Sequence, residues 1–486
     1  MTSATRSIGE RIFSVEDQQL FARLSHDFNP MHMDPVIARR LMTGRQVVHG
    51  MHVMLSGLEY WQNNTGQTPV SIDCSFNNPI SVGESLVYAQ WDDPGHKTST
   101  VEASVDGLVC ARIIFLLAGA VQAPKPLVTQ LLVADSDLRI VSAFIEALDE
   151  APEFHQGKAY GLQLDATDLV AYFPNAHRLL GNQRLAATLA LSYIVGMVCP
   201  GLHSVFSALS MDLCEETAED GLLRFSVLKY DPRFRLFNIR FSGCIDGDIK
   251  AFLRPPVQSQ PSVRDLSNDV LAHEFKGSRT LVIGGSRGLG EMTAKILAAG
   301  GGDTVITYAH GLADASAIEK EIESGGGAHC QVVRLDLTCD RFDALPIEWG
   351  ALNAIYFFAT PRIFRKKSGV FDPQLYREFS DFYILKFYEL CRFLEGNIPA
   401  GKIKLYVPST VFVESRPKGM AEYAMAKAAA EVLVQEINRS FTKLSVICTR
   451  LPRLNTDQTA SIVKVSTESN VETLLPLIRR LNGTPH

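Results

Sequence analysis

The stretch "RTLVIGGSRGLGEMTAKILAAGG", Arg279–Gly301, limits the possible architecture more than any other part of the chain. An apolar run of strand length leads into a glycine cluster, and apolar residues at helical spacing follow. Five further apolar runs come after it: "DTVITYA", "CQVVRLDL", "LNAIYFFAT", "KIKLYVPS" and "LSVICTRL". Helical stretches over 313–323, 373–394 and 421–441 alternate with them. Strands separated by helices cannot pair through tight turns, so they pair in parallel, with the helices as crossovers. The spacing predicts a Rossmann-type, doubly wound parallel sheet over residues 270–486.

Upstream the pattern differs. Two proline-rich joints, "VQAPKPLV" (Val121–Val128) and "RPPVQSQPSV" (Arg254–Val263), set off two earlier pieces, 1–125 and 136–256. The two pieces share a similarity: "VVHGMHVMLSGLEY" from Val47 and "VCPGLHSVFSALSM" from Val198 align Gly50 with Gly201, His52 with His203 and Ser56 with Ser207. Alternating apolar strands follow each. One helix and a run of antiparallel strands, occurring twice, is an α+β pattern, with the second helix expected to start near Pro200–Gly201. A net charge of -6 with both signs interspersed argues against nucleic acid as the main partner. Nine cysteines without a CxxC read as reduced thiols of a cytoplasmic protein. The longest apolar stretches fall short of a membrane span.

Near the start, "HDFNPMHMD" (His26–Asp34) packs two histidines and two aspartates around an Asn-Pro turn. Asp27, His32 and Asp34 could supply metal ligands, but neither HExxH nor facial-triad spacing is present, so a metal is not expected. Asp27 or Asn29 could cap the helix "DPVIARRLM". Neither reading uses the "VVHGM" that follows. There a glycine opens an apolar helix, and its free N–H suits a carbonyl oxygen gaining negative charge. An acid–base pair beside such a donor suits proton transfer next to a thioester carbonyl.

"DFNPMHMDPVIA" followed by "VVHGM" resembles the MaoC-like hot-dog dehydratases, the (R)-specific enoyl-CoA hydratases. The resemblance implies that Asp27 and His32 are catalytic, that Gly50 is the oxyanion donor and that Asn29 supports the turn. "FNNPISVGESL" (Phe76–Leu86) matches a further family strand, whereas His26 stands where the family usually has glycine. The second piece has no such motif. Its "FPNAH" places His177 at the wrong spacing, and His203 reads as a packed histidine. The resemblance is to a double hot-dog with one catalytic half, the other shaping the acyl pocket.

"GGSRGLG" (Gly284–Gly290), between a strand and a helix, is placed to cradle a pyrophosphate. Its spacing, with Tyr423-x-x-x-Lys427 in "YAMAK", resembles the short-chain dehydrogenase/reductases. The resemblance implies cofactor contacts from Gly284, Ser286, Arg287, Gly288, Gly290, Asp336 and Lys427. It also implies Tyr423 as the proton donor, oriented by Thr410 or the adjacent Ser409 and assisted by Lys427. Departures are Thr410 for serine, "FFAT" (Phe357–Thr360) for the usual strand end, an unidentifiable helix asparagine and Arg453 for glycine. The second strand ends "VITYAHG" with no acid for a ribose 2′-hydroxyl, and Arg287 lies in the loop, so NADP(H) is expected over NAD(H).

Together these features predict an α+β double hot-dog followed by an α/β domain: a cytoplasmic dehydratase/hydratase fused to an NADPH-dependent 3-ketoacyl reductase. Its partner would be an acyl-CoA or acyl-carrier-protein thioester, its state a homo-oligomer, a dimer. A hydratase with a degenerate reductase, a hot-dog thioesterase and a non-catalytic NADP(H)-binding scaffold remain as rivals.

Overall fold

The computed structural model describes residues 4–120, 138–141, 146–165, 169–213, 221–325, 328–365, 369–399, 403–462 and 465–483. The Val121–Val128 joint and Cys214 lie outside them. The chain divides into two compact units, one built on Met1–Pro256, the other on Val257–Ala460 with Val465–His486. Among the described residues, no helix is long and apolar enough to cross a membrane.

The first unit is an eleven-stranded sheet. Its order begins Arg6–Ile12, Ser85–Asp93, Thr98–Val105, Leu108–Leu117 and Pro69–Phe76. It continues through Ser204–Asp212, Asp246–Leu253, Leu236–Ser242, Leu222–Asp231, Ala159–Gln163 and Arg139–Val141. Pro69–Phe76 pairs antiparallel with Ser204–Asp212, which joins the two halves into one sheet. All pairs are antiparallel except the last.

Each half contributes a long helix. Gly50–Thr65 is buried almost all round, as its continuous apolar sequence requires. Gly57 lets it approach the sheet, since a β-carbon there would lie 2.4 Å from Ile113 Cδ1. Trp61 stacks on Phe115 and donates its indole N–H to Ser99 Oγ at 2.8 Å. The second helix, Pro174–Tyr193, packs against the first and has a non-helical Gly181 (φ 70°). Glu59 of the first helix accepts the N–H groups of Asn175 (3.2 Å) and Ala176 (2.5 Å), a carboxylate on a helix N-terminus.

The expected start of the second helix is corrected here. It begins at Pro174 and runs on through a π-helical segment, Ile194–Val198. Gly201–His203 is a 3-10 turn and Ser207 lies in a strand, so the alignment of Gly201, His203 and Ser207 with helix residues does not hold. Proline lacks the N–H that a continuing helix needs, so the run cannot extend through Pro200 and stops at Val198.

The second unit is a six-stranded sheet, every pair parallel, in the order Cys330–Arg334, Asp303–Tyr308, Arg279–Ile283, Ala354–Phe357, Ile403–Thr410, Leu444–Leu451. Numbered along the chain this is 3-2-1-4-5-6. Strand order reverses between Arg279–Ile283 and Ala354–Phe357, the crevice where open parallel sheets bind ligands.

Candidate functional site

The Asn-Pro turn forms as two short caps in series. Asn29 accepts Met31 N–H at 3.1 Å with Pro30 in the first helical position; Asp34 accepts Val36 (2.7 Å) and Ile37 (3.0 Å) with Pro35 behind it. Asp34, not Asp27 or Asn29, is therefore the cap before Pro35. That leaves the carboxylate of Asp27 to point inward.

Asp27 is 1% exposed and His32 8%. Asp27 Oδ1 accepts Asn29 N–H at 3.2 Å and Oδ2 accepts the Ser192 hydroxyl at 2.7 Å. His32 Nδ1–H donates to Val47 O at 2.9 Å, which fixes the tautomer and leaves Nε2 as the basic nitrogen. His49 lies against His32, ring centroids 3.9 Å apart, with Nε2 3.0 Å from Asp27 O and Nδ1 3.0 Å from Gln18 Oε1. Burial raises the Asp27 carboxyl, against the opposing pull of His32, Ser192 and Asn29. Burial lowers His32, against the pull of Asp27, and lowers His49 well below its ordinary value. Burial thus pushes both members of the pair toward their neutral forms.

Gly50 is the first residue of its helix, so its N–H has no intrahelical acceptor. The Phe76 ring covers this end, 3.1 Å from where a Gly50 β-carbon would sit. Asp27, His32 and His49 present ligand atoms within 4.8 Å of one another. Both His49 nitrogens are held by protein groups, which leaves fewer donors than the three or four of a zinc site.

The second half, where no catalytic motif was read, supplies much of this site. Besides Ser192, Gly196 abuts the carboxylate: a β-carbon there would lie 2.3 Å from Asp27 Oδ1. Asn29 Nδ2 donates to Gly196 O (2.8 Å), Gly201 O (3.2 Å) and Leu202 O (3.3 Å). Ser192 and Gly196 sit in an apolar run, "ALSYIVGMV", that carries no chemical signature. Gly196→Ala is expected to displace Asp27 and lower hydration of an enoyl thioester by about a hundredfold, since displacements near 1 Å cost that much; steady-state rates with thermal melts check it. His177 lies near the start of the second helix, bonded to Asn182 Oδ1 at 2.8 Å.

In the second unit the glycine loop closes the switch-point crevice. Gly284 (φ 81°) abuts the next strand's connection: a β-carbon there would lie 2.8 Å from Ala359 N. Its N–H donates to Thr307 Oγ1 at 3.0 Å. Gly290 abuts Gly284 O, and the helix Gly288–Ala299 opens behind Arg287 with Ser286 buried before it. Asp336 Oδ1 is engaged by Thr338, whose N–H (2.9 Å) and hydroxyl (2.6 Å) donate to it.

Tyr423 and Lys427 lie one turn apart on Ala421–Ser440, on one face. Thr410 lies at the end of its strand, where its hydroxyl accepts Phe412 N–H at 3.2 Å and lowers the Tyr423 hydroxyl against the effect of burial. Ser409 is committed to Glu431 at 2.5 Å, which leaves Thr410 as the strand-end hydroxyl not tied to a carboxylate among the described residues. Lys427 Nζ donates to Pro408 O at 2.7 Å and lies 3.7 Å from the centroid of Tyr383, whose hydroxyl bonds Thr360 of "FFAT". Burial pushes Lys427 down to about 7 and Tyr423 up. Tyr383, a tyrosine in the aromatic stretch "REFSDFYILKFYEL", carries no signal in the sequence beyond packing.

Residues 4–106 match the family described as MaoC like domain. The mitochondrial 3-hydroxyacyl-[acyl-carrier-protein] dehydratase of Arabidopsis thaliana is 35% identical over 78 residues, 16% of this chain and 47% of that protein, so the chain spans about half its length. The (R)-specific enoyl-CoA hydratase of Aeromonas caviae is 32% identical over 94 residues, 18% of this chain and 70% of that protein. Among solved structures, FolM alternative dihydrofolate reductase 1 from Brucella suis, with NADP, has a TM-score of 0.36 at 18% identity, covering 42% of this chain and 87% of its own. A short-chain dehydrogenase from Sphingobium yanoikuyae, with NADPH, has a TM-score of 0.34 at 18% identity, covering 42% and 85%. The match over residues 4–106, which contain Asp27, Asn29, His32 and Gly50, and the 70% coverage of the hydratase place this chain in the MaoC-like family.

Proposed function

We propose that the chain is a bifunctional acyl-thioester enzyme, a double hot-dog dehydratase/hydratase (1–125 catalytic, 136–256 supporting) fused to an NADPH-dependent 3-ketoacyl reductase (270–486). The observation that carries the reading is the buried Asp27–His32 pair beside the amide of Gly50. In hydration the pair holds one water; His32 Nε2 takes its proton as oxygen bonds to the β-carbon, and Asp27 delivers a proton to the α-carbon. Gly50 N–H stabilises the enolate-like oxygen between these events. In the reverse direction Asp27, ionised, takes the α-proton, His32 protonates the departing β-hydroxyl, and water leaves.

The second unit fits NADP(H). Its glycines let the loop pack closely at a helix N-terminus, where backbone N–H groups can hold a pyrophosphate, and "VITYAHG" offers no carboxylate to a ribose 2′-hydroxyl. Bound NADPH supplies a hydride to the 3-carbon of a 3-ketoacyl thioester. Tyr423 donates the proton to the carbonyl oxygen, oriented by Thr410, with Lys427 beneath. The resulting 3-hydroxyacyl thioester is the substrate that Asp27 and His32 dehydrate, which gives the fusion its chemical logic. The partner is an acyl-CoA or acyl-carrier-protein thioester, and we expect a cytoplasmic dimer.

A second reading, a hydratase with a degenerate reductase, is favoured by one feature. Tyr423 lies in an aromatic cluster with Phe379, Tyr383 and Phe412, and Arg453, at the usual glycine position, lies over Phe364. Two assays separate the readings. The wild type should hydrate crotonyl-CoA without nucleotide, and should oxidise NADPH faster than NADH with acetoacetyl-CoA. Hydration without any ketoreduction would select the degenerate reading; absence of hydration would overturn both.

A further inference from the structure

Arg254 follows the last strand of the first unit and is 2% exposed, a guanidinium buried where charge is costly. Among the described residues no carboxylate pairs with it directly, and its Nε has no partner. Its Nη2 donates to Leu202 O at 2.6 Å and its Nη1 lies 3.2 Å from His203 Nδ1, while His203 Nε2 reaches Asp149 at 3.4 Å. Its own N–H donates to His203 O at 2.8 Å. Burial draws its pKa down to about 10, so it stays cationic at neutral pH.

Leu202 O is shared. It also accepts Asn29 Nδ2 at 3.3 Å, and Asn29 O accepts His32 N–H at 2.9 Å. A continuous chain of contacts therefore runs from the buried cation, through one carbonyl of the second half, to the residue between Asp27 and His32. We infer that Arg254 is a positioning residue for the Asp27–His32 pair, acting by clamping the turn that holds Asn29. This rests on the hydratase reading. The turn has a second support, since Leu202 N–H donates to Leu148 O at 2.8 Å and Leu148 N–H to Met197 O at 2.9 Å. Loss of the guanidinium therefore loosens the turn without deleting it. Methionine, of similar length, removes the desolvation cost of a buried charge along with its hydrogen bonds, so the two effects on stability oppose each other. Activity and stability should consequently move independently.

The test compares Arg254→Met and Arg254→Lys in the full chain, by crotonyl-CoA hydration, thermal melting and hydrogen exchange over residues 26–34. Arg254→Met should lower kcat roughly tenfold or more with KM within about twofold, as expected for lost alignment instead of lost binding. Its Tm should change little, and exchange over 26–34 should quicken. Arg254→Lys, which keeps a donor for Leu202 O, should recover most of kcat. An unchanged kcat, a rise in KM alone, or a lysine variant no better than methionine would overturn the inference. If the wild type hydrates no enoyl thioester, the hydratase reading fails, and the exchange measurement still decides whether Arg254 holds the Asn29 turn.

Discussion

Asp27→Asn and His32→Ala should each lower hydration of crotonyl-CoA by about a thousandfold, within the range typical for loss of a positioned acid or base. The asparagine keeps the shape of the aspartate: its Oδ1 can accept Asn29 N–H and its Nδ2 can donate to the Ser192 hydroxyl, which turns to accept, so the fold should survive. What it lacks is an exchangeable acidic proton. Burial raises the Asp27 carboxyl above the ordinary carboxylate range, against the pull of His32, Ser192 and Asn29. His32→Ala removes Nε2, the ring nitrogen left to accept a proton from water because Nδ1 is tied to Val47 O. The stability consequences have opposite signs. An aspartate whose folded pKa is raised loses folding stability as pH rises above its unfolded value. A histidine whose folded pKa is lowered loses stability as pH falls through its unfolded value. Asp27→Asn should therefore be no less stable than the wild type at pH 7 or above, measured by thermal melting. Either variant retaining wild-type-like hydration would remove the assignment, and an unfolded Asp27→Asn would contradict the neutral-pair electrostatics.

The parts of this site that were legible in the sequence are local in the chain. Asp27, Asn29, His32 and Gly50 lie within one turn and one helix start, where a proline, two caps and a glycine fix the geometry whatever the rest of the chain does. The parallel sheet was equally legible, because alternating strand and helix periods allow few other pairings. Ser192 and Gly196 reach Asp27 from more than 160 residues away, and a serine or glycine in an apolar helix reads as packing. The second helix was misplaced for a related reason. "VCPGLHSVFSALSM" holds too few residues to separate a period of 2 from one of 3.6, and its glycine and histidine imitate the "HGMH" of the true helix start. The real helix begins in the polar "PNAHRLLGNQ", interrupted by Gly181, and shows its apolar register only later. Arg254 was invisible as well: an arginine before two prolines reads as linker, and its burial depends on a turn more than 50 residues earlier.

Tyr423→Phe should reduce acetoacetyl-CoA reduction by a hundredfold or so, the typical lower range for losing a general acid, while NADPH binding is unchanged. The hydroxyl is the only polar atom of this side chain, and burial keeps it protonated well above its ordinary range, as a donor requires. Phenylalanine fills the same volume against Phe379, Tyr383 and Phe412, so the aromatic cluster and its packing persist. Binding should persist because the pyrophosphate would be held by the amides of the Gly284–Gly290 loop, not by Tyr423. Thr410 keeps the Phe412 N–H, so the strand end stays anchored. Lys427 stays with Pro408 O and the Tyr383 ring, neither of which involves Tyr423. The loss should therefore appear in kcat, with the NADPH dissociation constant, read by nucleotide fluorescence, as the internal control. A Tyr423→Phe variant that reduces acetoacetyl-CoA at the wild-type rate would take the proton-donor role from Tyr423. A wild type that binds NADPH yet reduces no 3-ketoacyl thioester would instead make the aromatic cluster a plug, and leave the first unit's hydratase as the chain's single chemistry.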